Sequence, residues 1–422
     1  MEPRTVAQQA RALVPHLARA STEAKNAALL AMARRLEGSA QEILSANEED
    51  LKAAQDQGLA AALVNRLRFG EAKIRSRVES LRRIADLPDP VGAKIREETR
   101  PSGLQVARVR VPLGVILMIY EARPHVTVNA GAFCLKAGNA AILRGGSEAR
   151  ACNALLGRLW AEALDEADLP QGAVQVVSGS HEDVNALLQM DDCIDLVIPR
   201  GGKGLIGAVA EQSRIPVVKH FAGVCHVYLD READLDQGLD IALDSKCLMP
   251  EVCNAMETLL VHADREADLA RIVEAFQANG VQVRGCARTR AAARDVEPAD
   301  EEDWRTEYLD LVVAVRVVDG LDQAADHIQT YGSHHTDAIV TKDAGRARRF
   351  VEAVDSAVVL VNASTMFCDG ASLGMGAEIG ISTDKLHARG PMGLEELTSY
   401  KFVIQGAGHV MGPHRRTGKE SR

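Results

Sequence analysis

Residues 105–219 alternate between short apolar runs and helical patterns, and this alternation constrains the fold more than any other feature of the sequence. Residues 113–120 form a continuous apolar run, which is typical of a buried strand. The same reasoning predicts strands at 140–143, 173–177, 194–198 and 215–219, with helices between them. Such a series predicts a doubly wound parallel sheet, in which ligands lie beyond the carboxyl ends of the strands.

The segments on either side of this sheet have different patterns. The first hundred residues are predicted to be helical, and residues 105–111 alternate as a half-exposed strand does. A second series of strands is predicted at 259–262, 311–318, 338–341 and 357–361, after a helix near Val252. The sequence therefore predicts a first lobe over 1–245, a second α/β lobe over 246–362 and Gly-rich polar loops over 363–422.

The composition excludes several classes of function. With 46% apolar and 26% charged residues the chain is globular, and a net charge of −10 argues against nucleic acid or an anionic membrane surface as a partner. A local basic pocket for a small anion remains compatible with that charge. No segment approaches the roughly 18 apolar residues of a membrane span, and no secretory signal is present, so a cytoplasmic protein is expected. The eight cysteines lack CxxC spacing, which predicts free thiols and no metal site.

Two glycine clusters follow predicted strands directly and precede helices. Glycines at such turns let backbone N–H groups approach an anion, and the helix end favours negative charge. Neither cluster is a GxGxxG or Walker motif, so each alone is equally compatible with a tight turn, but two on one sheet favour a dinucleotide. The residues are Arg144, Gly145 and Gly146 in the first cluster and Arg200, Gly201, Gly202 and Lys203 in the second.

Cys253 lies in the segment MPEVCNAMET, which covers residues 249–258. Pro250 suits the first turn of a helix, and a thiol at a helix N-terminus has a lowered pKa and is a better nucleophile. Most cysteines are instead buried structural thiols, and the spacing alone does not decide between the two interpretations.

Residues 362–391 are dense in Gly, Ser, Thr, Lys, His and Arg. Backbone amides freed by glycines, beside such side chains, suit an anion-binding surface. A hydrogen-bonded surface loop or a subunit contact is the alternative.

Long stretches of the sequence resemble the γ-glutamyl phosphate reductases, a family of the aldehyde dehydrogenase superfamily. The likeness covers nearly the whole chain and is most specific in CNAMETLLVH, at 253–262, and GAEIGISTDKLHARGPMGLEELTSYK, at 376–401. It implies an aldehyde dehydrogenase-like α/β fold and NADPH as cofactor (NADP⁺ in the reverse direction). The implied reaction is the reduction of γ-glutamyl phosphate to glutamate semialdehyde in proline biosynthesis.

The resemblance also implies roles for individual residues. Cys253 is the expected nucleophile, with its backbone amide, that of Asn254 and a polar side chain from the 120–127 turn around the oxyanion. The two glycine clusters are expected to bind NADPH, and Glu307 its nicotinamide ribose. The segment 219–226 lacks the carboxylate that hydrolytic relatives carry, which favours phosphate exchange over hydrolysis. The expected substrate ligands are Arg123, His125, His335, Ser364, Lys385 and Arg389.

Three departures from the family pattern concern the substrate. Leu248 and Met249 stand where Gln and Arg are usual, Met366 replaces an Arg, and His125 replaces an Asn. Two cations are thus missing, so either other basic residues compensate or the substrate is a related acyl phosphate. A non-catalytic relative is a third hypothesis, against which the presence of Cys253 and Glu307 argues.

Partners and cofactor choice are less well defined by the sequence. Superfamily habit predicts a homo-oligomer with the segment 400–405 at the contact. Glutamate 5-kinase is a possible partner that would supply the labile acyl phosphate. Arg144 suits the 2′-phosphate of NADPH, but NADH remains open.

Overall fold

The structure is a computed structural model that describes residues 2–219 and 221–412. Its N-terminal part is helical, as the sequence predicts. Ser21 caps the second helix by accepting a hydrogen bond from the Ala24 backbone N–H at 3.2 Å, and Leu29, Met32 and Leu36 of that helix are buried. The five helices α1–α5 are Pro3–Leu17, Thr22–Gly38, Ala40–Asp56, Ala61–Leu67 and Glu71–Asp86.

An antiparallel hairpin precedes the first parallel sheet, and consists of β1 (Lys94–Thr99) and β2 (Gln105–Pro112). The following elements are β3 (Val115–Tyr120), α6 (Pro124–Lys136), β4 (Ala140–Gly145), α7 (Arg150–Glu166), β5 (Val174–Val177), α8 (His181–Leu188), β6 (Leu196–Arg200) and α9 (Lys203–Gln212). The sheet has the order β5-β4-β3-β6 with every pairing parallel, which confirms the predicted α/β fold. All six residues of β3 are buried, as its apolar run predicts.

The prediction of a strand at 215–219 is wrong. Val217 makes one isolated parallel bridge to Val197, and the residues around it do not extend this pairing into a ladder. Pro216 has no backbone N–H to donate, which limits the pairing of this segment.

A second parallel sheet occupies the C-terminal half. Its elements are β7 (Cys225–Leu229), α10 (Leu235–Cys247), β8 (Met256–His262), α11 (Leu269–Ala278), β9 (Gln282–Gly285), α12 (Ala287–Ala292), β10 (Glu297–Pro298), β11 (Val312–Val318), α13 (Leu321–Tyr331), β12 (Thr336–Val340), α14 (Ala344–Ala353) and β13 (Val358–Val361). The strand order is β10-β9-β11-β8-β7-β12-β13. The predicted strands of the second lobe correspond to β8, β11, β12 and β13.

The division between the lobes lies between β6 and β7, rather than at residue 245. Val227 of β7 and Ala242 of α10 pack in the apolar core of the second sheet. The C-terminal segment returns to the first lobe, where Ile379 and Met392 join its core. That segment contains β14 (Gly380–Ser382), β15 (Gly390–Met392) and β16 (Thr398–Gln405), and β16 pairs antiparallel with β2.

All eight cysteines are free thiols. Within residues 2–219 and 221–412, no helix is long and apolar enough to cross a membrane. The same residues contain no cluster of His, Cys, Asp or Glu suited to a metal ion.

A fully buried ion pair joins α10 to β8. Lys246 Nζ lies 2.6 Å from Glu257 Oε2, and neither side chain is exposed. Burial raises the pKa of Glu257, and the Lys246 ammonium opposes that rise. Because Lys246 lies near the end of α10 and Glu257 near the start of β8, the pair closes the loop that carries Cys253.

Lys246→Met is expected to lower the free energy of unfolding by about 3–5 kcal/mol, because it leaves Glu257 buried without a counter-charge. Urea denaturation at neutral pH measures this loss. Lys342→Met is the control, since Lys342 pairs with Asp234 at 2.7 Å on the surface and such pairs contribute about 0–1 kcal/mol. Equal losses in the two variants would contradict a structural role for the buried pair.

Candidate active site

Cys253 lies in the loop between α10 and β8, and the helix predicted near Val252 is not formed. The loop makes turns instead, with Val252 N donating to Met249 O at 3.4 Å and Ala255 N to Val252 O at 3.1 Å. Because this loop connects the end of α10 to the start of β8, Cys253 does not lie at the N-terminus of a helix.

The segment before β7 packs against the backbone of Cys253. A Cβ on Gly223 would lie 1.7 Å from the Cys253 carbonyl oxygen, so a side chain does not fit there. Cys225 Sγ lies 3.3 Å from the same oxygen and is a weak donor to it. Close backbone approach at Gly223 thus fixes the nucleophile loop against the second sheet.

Asn254 attaches the C-terminal segment to the same loop. Its side-chain amide is buried and donates to the carbonyl oxygens of Thr365, Met366 and Cys368 at 3.1, 3.4 and 3.3 Å. The Asn254 side chain therefore holds the 365–368 turn, and its backbone amide is the part left as an oxyanion donor.

The pKa of Cys253 is raised to about 11, contrary to the prediction of a lowered value. Burial is the main cause. The Arg200 guanidinium and the thiol's own backbone N–H oppose it, whereas Glu307 and Glu378 add to the rise. The sequence-based prediction failed because the thiol is buried in a turn beside two carboxylates instead of capping a helix.

Both carboxylates are fixed by backbone amides. Glu307 Oε1 accepts from Gly223 N at 2.7 Å, and Glu378 Oε2 accepts from Gly370 N at 3.0 Å. Burial raises the pKa of Glu378. Sequence reasoning selected Glu307 but missed Glu378, although the latter is an acidic residue within the specific 376–401 motif.

The first glycine cluster borders a cavity of about 470 Å³ at the carboxyl ends of β4 and β5. A Cβ on Gly145 would lie 2.1 Å from Asn153 Nδ2, so this turn needs glycine. Arg144 Nη2 donates to Gly179 O at 3.1 Å. The lining residues include Arg144, Gly145, Gly146, Ser147, Arg150 and Asn153.

The second glycine cluster is arranged differently. The Gly202 N–H donates to Glu121 Oε2 at 2.8 Å, so a carboxylate already lies at the start of α9. A Cβ on Gly201 would lie 2.4 Å from the same oxygen, and Lys203 is exposed. Arg200 lies against Gly380, where a Cβ would be 2.6 Å from Arg200 Nη1. The charge of Arg200 also lowers the pKa of Cys253, so Arg200 lies within electrostatic range of that thiol.

The polar side chains of the 120–127 turn are engaged elsewhere. Tyr120 Oη and Thr127 Oγ1 are 2.5 Å apart, and Thr127 Oγ1 donates to Asn153 Oδ1 at 2.8 Å, all within the buried interior. Arg123 and His125 of this turn are partly buried, and the buried Nδ1 of His125 has no hydrogen-bond partner among the described residues.

The other predicted substrate ligands are not brought together. Lys385 and Arg389 both bind Asp355, Arg389 at 2.7 Å, and their charges lower the pKa of that carboxyl to about 2. Ser364 Oγ lies 3.1 Å from Ser245 Oγ within the core. His335 is closer to the nucleophile, because its Nδ1 lies 3.8 Å from Cys225 Sγ.

Known proteins resemble the chain over its whole length. Residues 3–285 match the model of the aldehyde dehydrogenase family. A γ-glutamyl phosphate reductase of Moorella thermoacetica is 52% identical over 97% of this chain and 99% of that protein. One from Carboxydothermus hydrogenoformans is 51% identical over 96% and 99%. The crystal structure of γ-glutamyl phosphate reductase from Thermotoga maritima has a TM-score of 0.95 at 42% identity, and covers 98% of this chain and 100% of that chain.

The alkylation rate of Cys253 by iodoacetamide is expected to rise about tenfold per pH unit from pH 7 to beyond pH 9, following the thiolate fraction. Glu307→Gln removes a charge that raises the thiol pKa, so it should accelerate alkylation at a given pH, and Arg200→Met should slow it. Mass spectrometry of the Cys253 peptide separates this thiol from the other seven. A wild-type rate that levels off below pH 8 would contradict the buried-thiol interpretation.

Proposed function

Since the chain belongs to the γ-glutamyl phosphate reductase family of the aldehyde dehydrogenase superfamily, we propose that it reduces γ-glutamyl phosphate to glutamate semialdehyde with Cys253 as nucleophile. This reaction is a step of proline biosynthesis. The observation that carries the role of Cys253 is the convergence at Gly223, whose backbone approaches the Cys253 carbonyl and whose N–H donates to Glu307 at 2.7 Å. The charges of Arg200, Glu307 and Glu378 all act on this one thiol.

In the first step the Cys253 thiolate attacks the acyl carbon of the substrate. A carbon–sulfur bond forms, the carbon–oxygen bond to phosphate breaks, and phosphate leaves a thioester on Cys253. Arg200 supports this step because its charge favours the thiolate. The backbone N–H groups of Cys253 and Asn254 are the proposed oxyanion donors, and loss of one such donor typically lowers the rate about 10²–10³-fold.

The second step reduces the thioester. A nicotinamide cofactor held by Glu307 and the first glycine cluster would supply the hydride that this reduction needs. The resulting thiohemiacetal of Cys253 collapses, which breaks the carbon–sulfur bond, releases the aldehyde and regenerates the thiolate. Arg200 then stabilises the departing sulfur as it does the attacking one.

NADPH is the proposed cofactor, with the adenosine half in the cavity beside the first glycine cluster. Within the described residues, the buried Arg144 Nε has no hydrogen-bond partner, which suits an additional phosphate ligand. Gly145 and Gly146 leave the backbone open to close approach. Glu307, held by Gly223, is the proposed acceptor for the nicotinamide ribose.

Transfer to phosphate is favoured over hydrolysis because segment 219–226 has no carboxylate. A hydrolytic aldehyde dehydrogenase is the second candidate, since Glu378 is a carboxyl of raised pKa that acts on Cys253 and could serve as a base for water. The names of the relatives do not favour a different acyl phosphate. Phosphate dependence of turnover separates the two candidates.

Mixing the protein with glutamate semialdehyde and NADP⁺ should reduce the cofactor only when inorganic phosphate is present. Cys253→Ala should lose about three orders of magnitude or more in rate, as removal of a nucleophile does. Cys286→Ala is the matched control, and replacement of NADP⁺ by NAD⁺ tests cofactor choice. Turnover without phosphate would instead support the hydrolytic candidate.

A homo-oligomer that contacts through β16 is also proposed. Alternate residues of this strand, Tyr400, Phe402 and Ile404, are 44%, 60% and 60% exposed, and such apolar rows are typical of protein interfaces. In the described sheet β16 pairs with β2 and leaves its other edge open to a second copy. Phe402→Glu should lower the mass measured by light scattering, and an unchanged mass would argue against this contact.

Two further proposals concern the setting of the reaction. Glutamate 5-kinase is a proposed partner, because the acyl phosphate that it would supply is labile. A cytoplasmic location is proposed because eight free thiols suit a reducing compartment.

A further inference from the structure

A group of basic side chains lies around His125. Lys73 and Arg77 lie one turn apart on α5, which packs against α6, and Arg123 immediately precedes α6. The ring centroids of Phe69 and His125 are 6.3 Å apart. Lys73 Nζ donates at 2.7 Å to the carbonyl oxygen of Arg68, which directly precedes Phe69, so the start of α5 is tied to the segment whose aromatic ring meets His125.

These cations have no carboxylate partners. Within the part of the chain that the structure describes, no ion pair within 4.0 Å involves any of the four cations Arg66, Lys73, Arg77 and Arg123. The neighbouring Arg75, two residues from Arg77, pairs with Glu71 at 3.3 Å. Arg77 thus lacks, among the described residues, the carboxylate partner that Arg75 has on the same helix.

The packing of α5 against α6 brings these cations within electrostatic range of one another. Burial and then the charges of Arg200 and Arg66 lower the pKa of Arg123 to about 10. Burial and then Arg123 and Arg77 lower the pKa of Lys73. Half-buried like charges without counter-ions destabilise a fold, and such arrangements occur where a ligand of opposite charge binds.

His125 is neutral in the centre of this group. Burial and the charges of Lys73, Arg77, Arg123 and Arg200 lower its pKa to about 3. Its buried Nδ1 has no hydrogen-bond partner among the described residues. A neutral imidazole can donate one hydrogen bond without adding a charge, which suits an oxyanion already held by several cations.

The turn that carries Arg123 is held rigidly. Ala122 has a φ of 41°, an unusual conformation for a residue other than glycine. The Ala122 N–H donates to Glu148, and Glu121 accepts from the Gly202 N–H at 2.8 Å. The backbone just before Arg123 is thus anchored to Glu148 and to the start of α9.

We propose that Lys73, Arg77, Arg123 and His125 form the pocket that binds an oxyanion of the substrate. The identity of the substrate in this proposal rests on the proposed function. The two oxyanions that such a substrate carries are the phosphate and the α-carboxylate. Arg123 immediately precedes α6, which packs against α5, and it interacts electrostatically with Cys253, so the group connects α5 to the Cys253 site. It supplies the positive charge that the apolar side chains of Leu248, Met249 and Met366 do not.

The test uses Arg77→Met, Arg77→Lys and the matched control Arg75→Met in the full-length protein. Rates in the reverse direction give separate KM values for inorganic phosphate and for glutamate semialdehyde. Thermal-shift titrations with inorganic phosphate and with L-glutamate give binding without turnover. Arg77→Met should raise one KM by about 10- to 100-fold and weaken binding of the matching anion, as loss of a charged hydrogen bond does.

The kinetic split identifies the oxyanion. A rise in the phosphate KM assigns the phosphate, and a rise in the aldehyde KM assigns the α-carboxylate. In either case kcat should change little, and Arg77→Lys should recover part of the loss. Since Arg77→Met removes a cation that has no counter-ion, the thermal midpoint of this variant should stay at or above that of the wild type. If both KM values and both binding titrations match those of Arg75→Met, the pocket is excluded. If the wild-type protein shows no turnover but anion binding is lost in Arg77→Met, the pocket stands and the proposed reaction fails.

Discussion

The buried ion pair of Lys246 and Glu257 anchors the loop that carries Cys253, and the rest of the candidate site depends on the position of that loop. The pair closes the loop between α10 and β8 at its base. Glu257 also accepts a hydrogen bond from the Leu309 backbone N–H at 3.3 Å, so it fixes the segment that carries Glu307. With Asn254 bound to the 365–368 turn, segments that are distant in sequence all converge on Cys253. Loss of either partner leaves the other charge buried and unpaired, which destabilises the loop. The geometry of the site therefore depends on the core of the second sheet.

The charges around Cys253 are divided between two sides. Carboxylates, Glu307 and Glu378, raise the pKa of the thiol, and the basic residues beginning with Arg200 and Arg123 oppose them. A thiol that is mainly protonated at neutral pH is protected from adventitious alkylation and oxidation. Reactivity then depends on how the nearby cations stabilise the thiolate during attack. Under the proposed function, this division lets the site hold an anionic substrate without leaving a permanently reactive cysteine.

The sequence predicted those features that depend on local pattern. The buried strand β3, the helical N-terminus and the first glycine turn follow from apolar runs and from residues that lack a Cβ. Features that depend on tertiary contacts were missed. Lys73 and Arg77 look like ordinary surface residues of an amphipathic helix until α5 is packed against α6. Lys385 and Arg389 look like anion ligands, but Asp355, distant in sequence, binds both. The shift of the Cys253 pKa was predicted in the wrong direction, because a ten-residue segment of sequence does not show whether its thiol is buried.

Covalent trapping tests the central role of Cys253 most directly. The protein is mixed with glutamate semialdehyde and NADP⁺ in the absence of phosphate, and reduced cofactor and intact protein mass are followed together. The account predicts a burst of about one reduced cofactor per subunit, as acyl-enzyme accumulation gives. It also predicts an acyl group on the peptide that contains Cys253, which is released when phosphate is added. An acyl group on another residue, or sustained turnover with no covalent adduct, would contradict it.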